Sequence, residues 1–240
     1  MSRDGTHVVP LGDGLAAFAD ARACPPGFAA EALPDLLSRA FGFPVPVLYP
    51  RQRHTDLVFT FSGTPPPPGR AVAVGVCDAL ITAEAGVALA VQTADCLPVA
   101  IAGPGVVAMV HAGWRGLAAG LLPKTVALVT AQFGIPPAHL QAVIGVGVGP
   151  CHYPVGREVV EALSRRLGSL DGVSWDGRVD LAACAQRSLV AAGLPPLQVR
   201  VLPGCTACSP NHHSYRRDAD SAGRQWAAVV LPPAGAPTGP

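Results

Sequence analysis

Apolar residues fall into two patterns along this chain: short continuous runs of strand length, and longer stretches in which they recur every three or four positions. "AAEALPDLLSRAFG" (29–42) follows the second pattern and predicts a short amphipathic helix. "LAAGLLPKTVALVTAQFG" (117–134), "GREVVEALSRRLG" (156–168) and "DLAACAQRSLVAAG" (180–193) predict three more. The first of these should kink near Pro123, which lacks a backbone donor. The last has Asp180 as cap and Gly193 as stop. "VPVLYP", "DLVFTF", "AVIGVGV", "LQVRVLPG" and "QWAAVVLPP" read as strands. "GVALAVQTADCLPVAIAG" and "GVVAMVHAG" read as buried strands joined at "GPG". "SGTPPPPGR" (62–70) is too stiff for a packed element and reads as a loop inside the domain. Strands and helices mix without strict alternation, which predicts one α+β domain.

Composition narrows the function classes. Half of the 240 residues are apolar and 14% are charged, so a large core can form. A net charge of +1 leaves no electrostatic footprint for nucleic acid or a membrane surface. "MSRDGTHVVPLGDG" lacks the charged-then-apolar order of a leader, and no apolar run reaches spanning length unbroken. A cytoplasmic protein is expected. The seven cysteines are an odd, scattered set, which argues for free thiols over a disulfide framework.

Three segments then place a metal-ligand type at a strand end: His54 in "RQRH", Cys96 in "TADCLP" and His111 in "VHAGWRG". Two imidazoles and a thiolate suit zinc, and three donors leave a fourth position open for chemistry. Asp95 is placed to orient a ligand histidine. Arg51 and Arg115 are fixed cations able to hold phosphate or carboxylate, as are Arg216 and Arg217 of "YRR". The separations match no local zinc signature, and each residue alone has an ordinary explanation in packing or at the surface. A metal-free pair, in which His111 activates Cys96 as a nucleophile, uses the same residues.

"RQRH", "CDALIT", "TADCLPVAI", "VHAGWRG", "GVGPCHYPV" and "SYRRDADSAGRQ" occur in the order expected of the YfiH-like family, which the chain resembles over roughly residues 50–228. That family is also described as laccase-domain or polyphenol oxidoreductase proteins and as purine nucleoside phosphorylases. The resemblance implies an α/β sandwich with mixed sheets, read here as a single domain over residues 1–240; the tail at 232–240, rich in glycine and proline, reads as loose. It implies metal ligands at His54, Cys96 and His111, with zinc favoured over copper. It also implies phosphorolysis of purine nucleosides (adenosine, inosine, guanosine, methylthioadenosine) and deamination of adenosine. The candidate catalytic set is His54, Cys96, His111 and Asp95; the candidate substrate contacts are Arg51, Gln52, Arg115 and Arg217.

Rival readings use the same residues. An amidase that edits peptidoglycan precursors needs only the same site, and a structural metal staple needs a fourth donor. Copper-dependent phenol oxidation of the multicopper kind is disfavoured: seven histidines and two methionines leave too few ligands. The H-x-E and P-C-x-x-C pattern of familiar zinc deaminases is absent, since 111–113 is His-Ala-Gly and 150–153 is Pro-Cys-His-Tyr. "CTACSPNHH" offers Cys205, Cys208, His212 and His213 as a second metal set, against a short spacing from Cys208 to His212. "GVGVGP" (145–150) lacks phosphate-loop spacing and reads as close backbone packing. Trp114 reads as a wall of the site, and Cys151 as packing.

Overall fold

A computed structural model describes residues 4–236, so the last part of the expected loose tail, 237–240, lies outside the described residues. The chain opens with a hairpin, β1 (Thr6–Leu11) and β2 (Gly14–Ala19), and continues into helix α1 (Leu33–Phe41). Then come β3 (Val47–Arg51), β4 (Val58–Phe61), β5 (Ala71–Val76), β6 (Ala79–Thr82), β7 (Ala88–Thr93), β8 (Leu97–Gly103) and β9 (Val106–Ala112). Helices α2 (Trp114–Ala119) and α3 (Leu121–Phe133), strand β10 (Gln141–Ile144) and helix α4 (Arg157–Leu167) follow. The chain ends with a small ribbon of β11 (Ser174–Trp175) and β12 (Arg178–Val179), then α5 (Leu181–Ala191), β13 (Val199–Val201), α6 (Tyr215–Asp218) and β14 (Gln225–Val230).

Two mixed six-stranded sheets result, in the orders β1-β2-β14-β7-β3-β5 and β13-β10-β8-β9-β6-β4. Leu48, Leu89 and Val91 of the first meet Ala100, Val107 and Met109 of the second in a shared apolar layer. α1 presents Leu33, Leu36, Leu37 and Phe41, one helical face, to Val47, Ala88 and Trp226 on the outside of the first sheet. Leu117, Leu121, Val126, Leu163 and Leu189 of α2–α5 cover Ile101, Val110 and Ile144 on the outside of the second. β8 and β9 are therefore buried on both faces, which explains their unbroken apolar sequence. The expected single-domain α/β sandwich with mixed sheets is the observed architecture.

The topology concentrates loops at one end. β3 runs parallel to both β5 and β7 in the first sheet. In the second, β4 is parallel to β6, while β6 and β8 are both antiparallel to β9. Three parallel strands of one sheet thus each pass the chain to a parallel strand of the other, through 52–57, 77–78 and 94–96. All three crossings lie at the end where β9 finishes.

The helix expected over 117–134 is two helices. It breaks at Gly120, φ 84°, not at Pro123. Pro123 falls in the first turn of α3, where a missing donor costs nothing because those N–H groups have no partner within the helix. Asp180 caps α5 as expected, its carboxylate accepting from the Ala183 N–H at 2.9 Å. No helix among the described residues is long and apolar enough to cross a membrane.

Candidate metal centre

Two of the three crossings and the end of β9 carry the candidate ligands. Along β9 the side chains alternate: Val106, Ala108, Val110 and Ala112 face the helices, while Val107 and Met109 face the other sheet. His111 is next in that second row, where the apolar layer runs out. Leu97 pairs with Ala112 and Pro98 with His111, so Cys96, just before β8, lies across from Gly113. His54 arrives on the 52–57 crossing. The His54 and His111 rings are 4.9 Å apart, and Cys96 Sγ is 3.7 Å from His54 Nε2. One donor atom from each of the three lies within 4.8 Å of the others.

Asp78 holds this arrangement, and the sequence reading did not single it out. Its carboxylate is fully buried and accepts from His111 Nδ1 at 2.8 Å. It also accepts from the successive backbone N–H groups of Arg53, His54 and Thr55 at 3.2, 3.0 and 2.7 Å, and from the Thr55 hydroxyl at 2.7 Å. His54 takes φ 58°, a left-handed turn that bends three consecutive amides around one carboxylate. The available sequence signal was an aspartate set in an otherwise apolar run, "GVCDALIT", since a buried charge must be paired. Burial pushes the Asp78 carboxyl up, but the hydrogen bonds from His111, Thr55 and Arg53 outweigh it and hold the group far below the usual carboxylate range.

With Nδ1 committed to Asp78, His111 has Nε2 left for the cluster. Burial pushes His111 down, but the bonds to Asp78 and Cys96 win and raise it to about 9. Burial pushes Cys96 up, and hydrogen bonds with His111 and His54 bring it down to about 6. Both shifts favour, in the absence of metal, a thiolate at Cys96 beside an imidazolium at His111. Two imidazole nitrogens and one thiolate are a donor set that zinc accepts, and they fit a metal here.

Gly113 explains the small pair in "VHAGWRG". A Cβ there would stand 2.9 Å from Cys96 Sγ and 3.0 Å from His54 Cδ2. Any larger residue would push two ligands apart.

The cluster faces a cleft of about 480 Å³ whose wall includes Trp114, Arg115, Tyr153, Arg216 and Arg224. Arg115 lies over the Trp114 ring at 4.4 Å, and Arg216 over the Tyr153 ring at 4.7 Å. Gln52 lines the same cleft; its side chain donates to the Gln92 carbonyl at 2.7 Å and accepts from the Gln92 N–H at 2.9 Å. Arg51 ends β3 with an exposed side chain and is not in the cleft wall. Arg217 is occupied elsewhere: it pairs with Asp218 at 2.7 Å and donates to the carbonyls of Thr206, Ser209 and His212. Asp95 does not reach a ligand histidine. It accepts from the Thr206 hydroxyl at 2.5 Å and from the Arg216 N–H at 2.6 Å, so it anchors the cleft wall beside Cys96. Arg224, an exposed residue of the cleft rim that donates to the Ala222 and Gly223 carbonyls at 2.9 and 2.8 Å, was not anticipated, because nothing in "SAGRQW" marks it out.

Fold and site together describe a two-sheet protein with three soft donors that could hold a metal ion, facing a cleft lined by arginines. Residues 31–232 match a family model described as multi-copper polyphenol oxidoreductase laccase, and the chain belongs to that family. It is 36% identical over 168 residues, 66% of its length, to purine nucleoside phosphorylase YlmD of Geobacillus stearothermophilus. It is 32% identical over 161 residues, 63% of its length, to adenosine deaminase RL5 of an unknown prokaryotic organism. The matched part spans 61% of the length of each of these curated relatives. The crystal structure of YlmD superposes with a TM-score of 0.83 at 26% identity, covering 97% of this chain and 98% of that one.

Three outcomes follow from the geometry. Asp78→Asn removes the charge that fixes His111, and metal affinity measured by chelator competition should fall roughly 10- to 100-fold. Gly113→Ala should fold, with near-native circular dichroism, yet lose metal binding. In metal-free protein, alkylation of Cys96, followed by peptide mass mapping, should stay fast above pH 6 and slow as pH falls through about 6. A midpoint near an ordinary thiol value would show that the imidazoles do not hold the thiolate.

Proposed function

We propose that this chain is a cytoplasmic, zinc-dependent purine nucleoside phosphorylase that works from a single domain, with His54, Cys96 and His111 holding the ion. The observation that carries this reading is the meeting of a three-donor cluster with three arginines, Arg115, Arg216 and Arg224, that line one cleft. Relatives with purine nucleoside phosphorylase names support the substrate class.

In phosphorolysis a phosphate oxygen bonds to C1′ of the nucleoside as the C1′–N9 bond breaks. The bonding pair leaves with the base, which takes up a proton, and ribose-1-phosphate forms. Phosphate brings negative charge, and arginine forks hold it through paired, charge-assisted hydrogen bonds. Trp114 and Tyr153 give the nucleoside apolar walls. Burial, with the nearby Cys96 charge, pushes the Tyr153 phenol up to about 12, so it stays neutral beside the anion. Gln52 ties the 52–57 crossing to Gln92 and keeps His54 in register with the cleft. Asp95 positions the backbone of Arg216. When bound, the zinc ion supplies a Lewis acid and acidifies water.

A second activity, deamination of adenosine, is supported by the relative bearing that name and uses the same cleft with water in place of phosphate.

Incubation with inosine and phosphate should yield hypoxanthine and ribose-1-phosphate by mass; adenosine without phosphate should yield inosine if the second activity is present. Release of an amino acid from a nucleotide-linked muramyl substrate, with no nucleoside turnover, would overturn the reading in favour of an amidase. Cys96→Ala should lose both this zinc and turnover while its circular dichroism stays near native. Arg115→Ala should raise KM for phosphate roughly tenfold to hundredfold, the scale of one lost hydrogen bond to a charged group.

A further inference from the structure

A second set of soft donors lies outside the cleft. Cys151 and His152 sit in a single helical turn, Pro150–His152, after β10; Cys205 and Cys208 follow β13. β10 and β13 are parallel neighbours, so the loops that leave them emerge side by side. The result is four donor atoms within 4.8 Å of one another. His152 Nδ1 is 3.3 Å from Cys151 Sγ, 3.3 Å from Cys208 Sγ and 3.9 Å from Cys205 Sγ; Cys151 and Cys208 sulfurs are 3.5 Å apart.

These lengths can be compared with a tetrahedron. With Zn–S about 2.3 Å and Zn–N about 2.05 Å, ideal edges are about 3.8 Å between sulfurs and about 3.6 Å from sulfur to nitrogen. The sulfur-to-nitrogen edges of 3.3, 3.3 and 3.9 Å bracket their ideal, and the Cys151–Cys208 edge of 3.5 Å is slightly short of its own. A disulfide requires about 2.05 Å between sulfurs, far shorter than the 3.5 Å here. The surroundings are also built for sulfur. The Gly149 N–H donates to Cys205 Sγ at 3.1 Å. A Cβ on Gly149 would meet Cys205 Cβ at 3.1 Å and the sulfurs of Cys151 and Cys205 at 3.4 Å. The Cys208 N–H bonds back to the Cys205 carbonyl at 3.2 Å, closing a tight knuckle around the C-x2-C pair.

His212 and His213, the histidines nearest in sequence, take no part. His213 is buried and bonds through Nε2 to the Cys24 carbonyl at 2.6 Å, while His212 lines a separate, more apolar cavity beside Phe18 and Trp226.

We infer that Cys151, His152, Cys205 and Cys208 form a second zinc site, closed by four protein donors, that staples two loops together behind the wall of the cleft. Tyr153 of that wall follows His152 directly. Thr206, between the two cysteines of the knuckle, donates to Asp95 beside Cys96. A closed site of this kind has no room for a reactant, so its role is to hold shape.

The experiment measures metal, not turnover, so its outcome is independent of the proposed activity. Zinc is counted by elemental analysis in protein purified without chelator, for the unaltered chain, Cys96→Ala, Cys208→Ser and the double variant. Two zinc ions per chain, one, one and none are expected. Cobalt-loaded Cys96→Ala should show intense tetrahedral d–d absorption with thiolate-to-cobalt charge-transfer bands, and Cys96→Ala/Cys208→Ser should lose them. Cys208 is exposed, so its replacement spares the core. No zinc in Cys96→Ala, with no cobalt spectrum on titration, would overturn the inference; so would a Cys151–Cys208 disulfide in freshly purified protein.

Discussion

Everything at the open end of the sandwich depends on one buried carboxylate. Asp78 lies on a crossing between the two sheets and bonds to a second crossing through three amides and a hydroxyl, and to β9 through His111. Because it is wholly buried, it is tolerable only while those partners are present. Breaking a buried charged pair by deleting one side costs about 3–5 kcal/mol. The same bonds that satisfy it also set the tautomer of His111 and the left-handed turn at His54. Ligand geometry and local stability are thus one network, and neither can relax without the other.

The third crossing is fixed differently. Asp95 takes φ 90°, another non-glycine residue in the left-handed region, and is held from outside by Thr206 and Arg216. Those partners belong to the segment after β13. Cys96 is therefore positioned by strand pairing on one side and by a loop from the far edge of the sheet on the other. The two soft-donor clusters differ as their settings require. The three-donor cluster opens onto a cleft with cationic walls; the four-donor cluster is complete in itself and sits behind that wall.

Much of the fold was legible because periodicity reports burial directly. β8 and β9 read as continuous apolar runs, and α1, α4 and α5 have clear faces or caps. The N-terminal hairpin escaped notice because "THVVPL" and "GLAAFA" are short, and Pro10 argues against a strand unless, as here, it lies at a sheet edge. The break at Gly120 was displaced to Pro123 because proline is read as a breaker wherever it occurs, although the first turn tolerates it. In the site, residue types pointed toward His54, Cys96 and His111, but spacing could not assemble them. Asp78 was missed and Asp95 given its task because adjacency to Cys96 in sequence stood in for adjacency in space. The arginines divide for the same reason: "YRR" puts Arg216 in the cleft wall and Arg217 into backbone carbonyls one residue later.

That failure has a physical cause with a consequence for how the site forms. Ligands on one helix can meet before the rest of the protein is in place. Here His54, Cys96 and His111 meet only when β8 has paired with β9 and both sheets have stacked, because each donor sits where a strand ends. The unfolded chain offers no preformed site, so any ion held at this cluster would favour the folded state. Pairing three parallel strands across two sheets is a long-range event with a high entropic cost of closure. A cluster built from crossings is therefore assembled late, when the sandwich is complete, and the cleft takes its shape only in a chain that has finished folding.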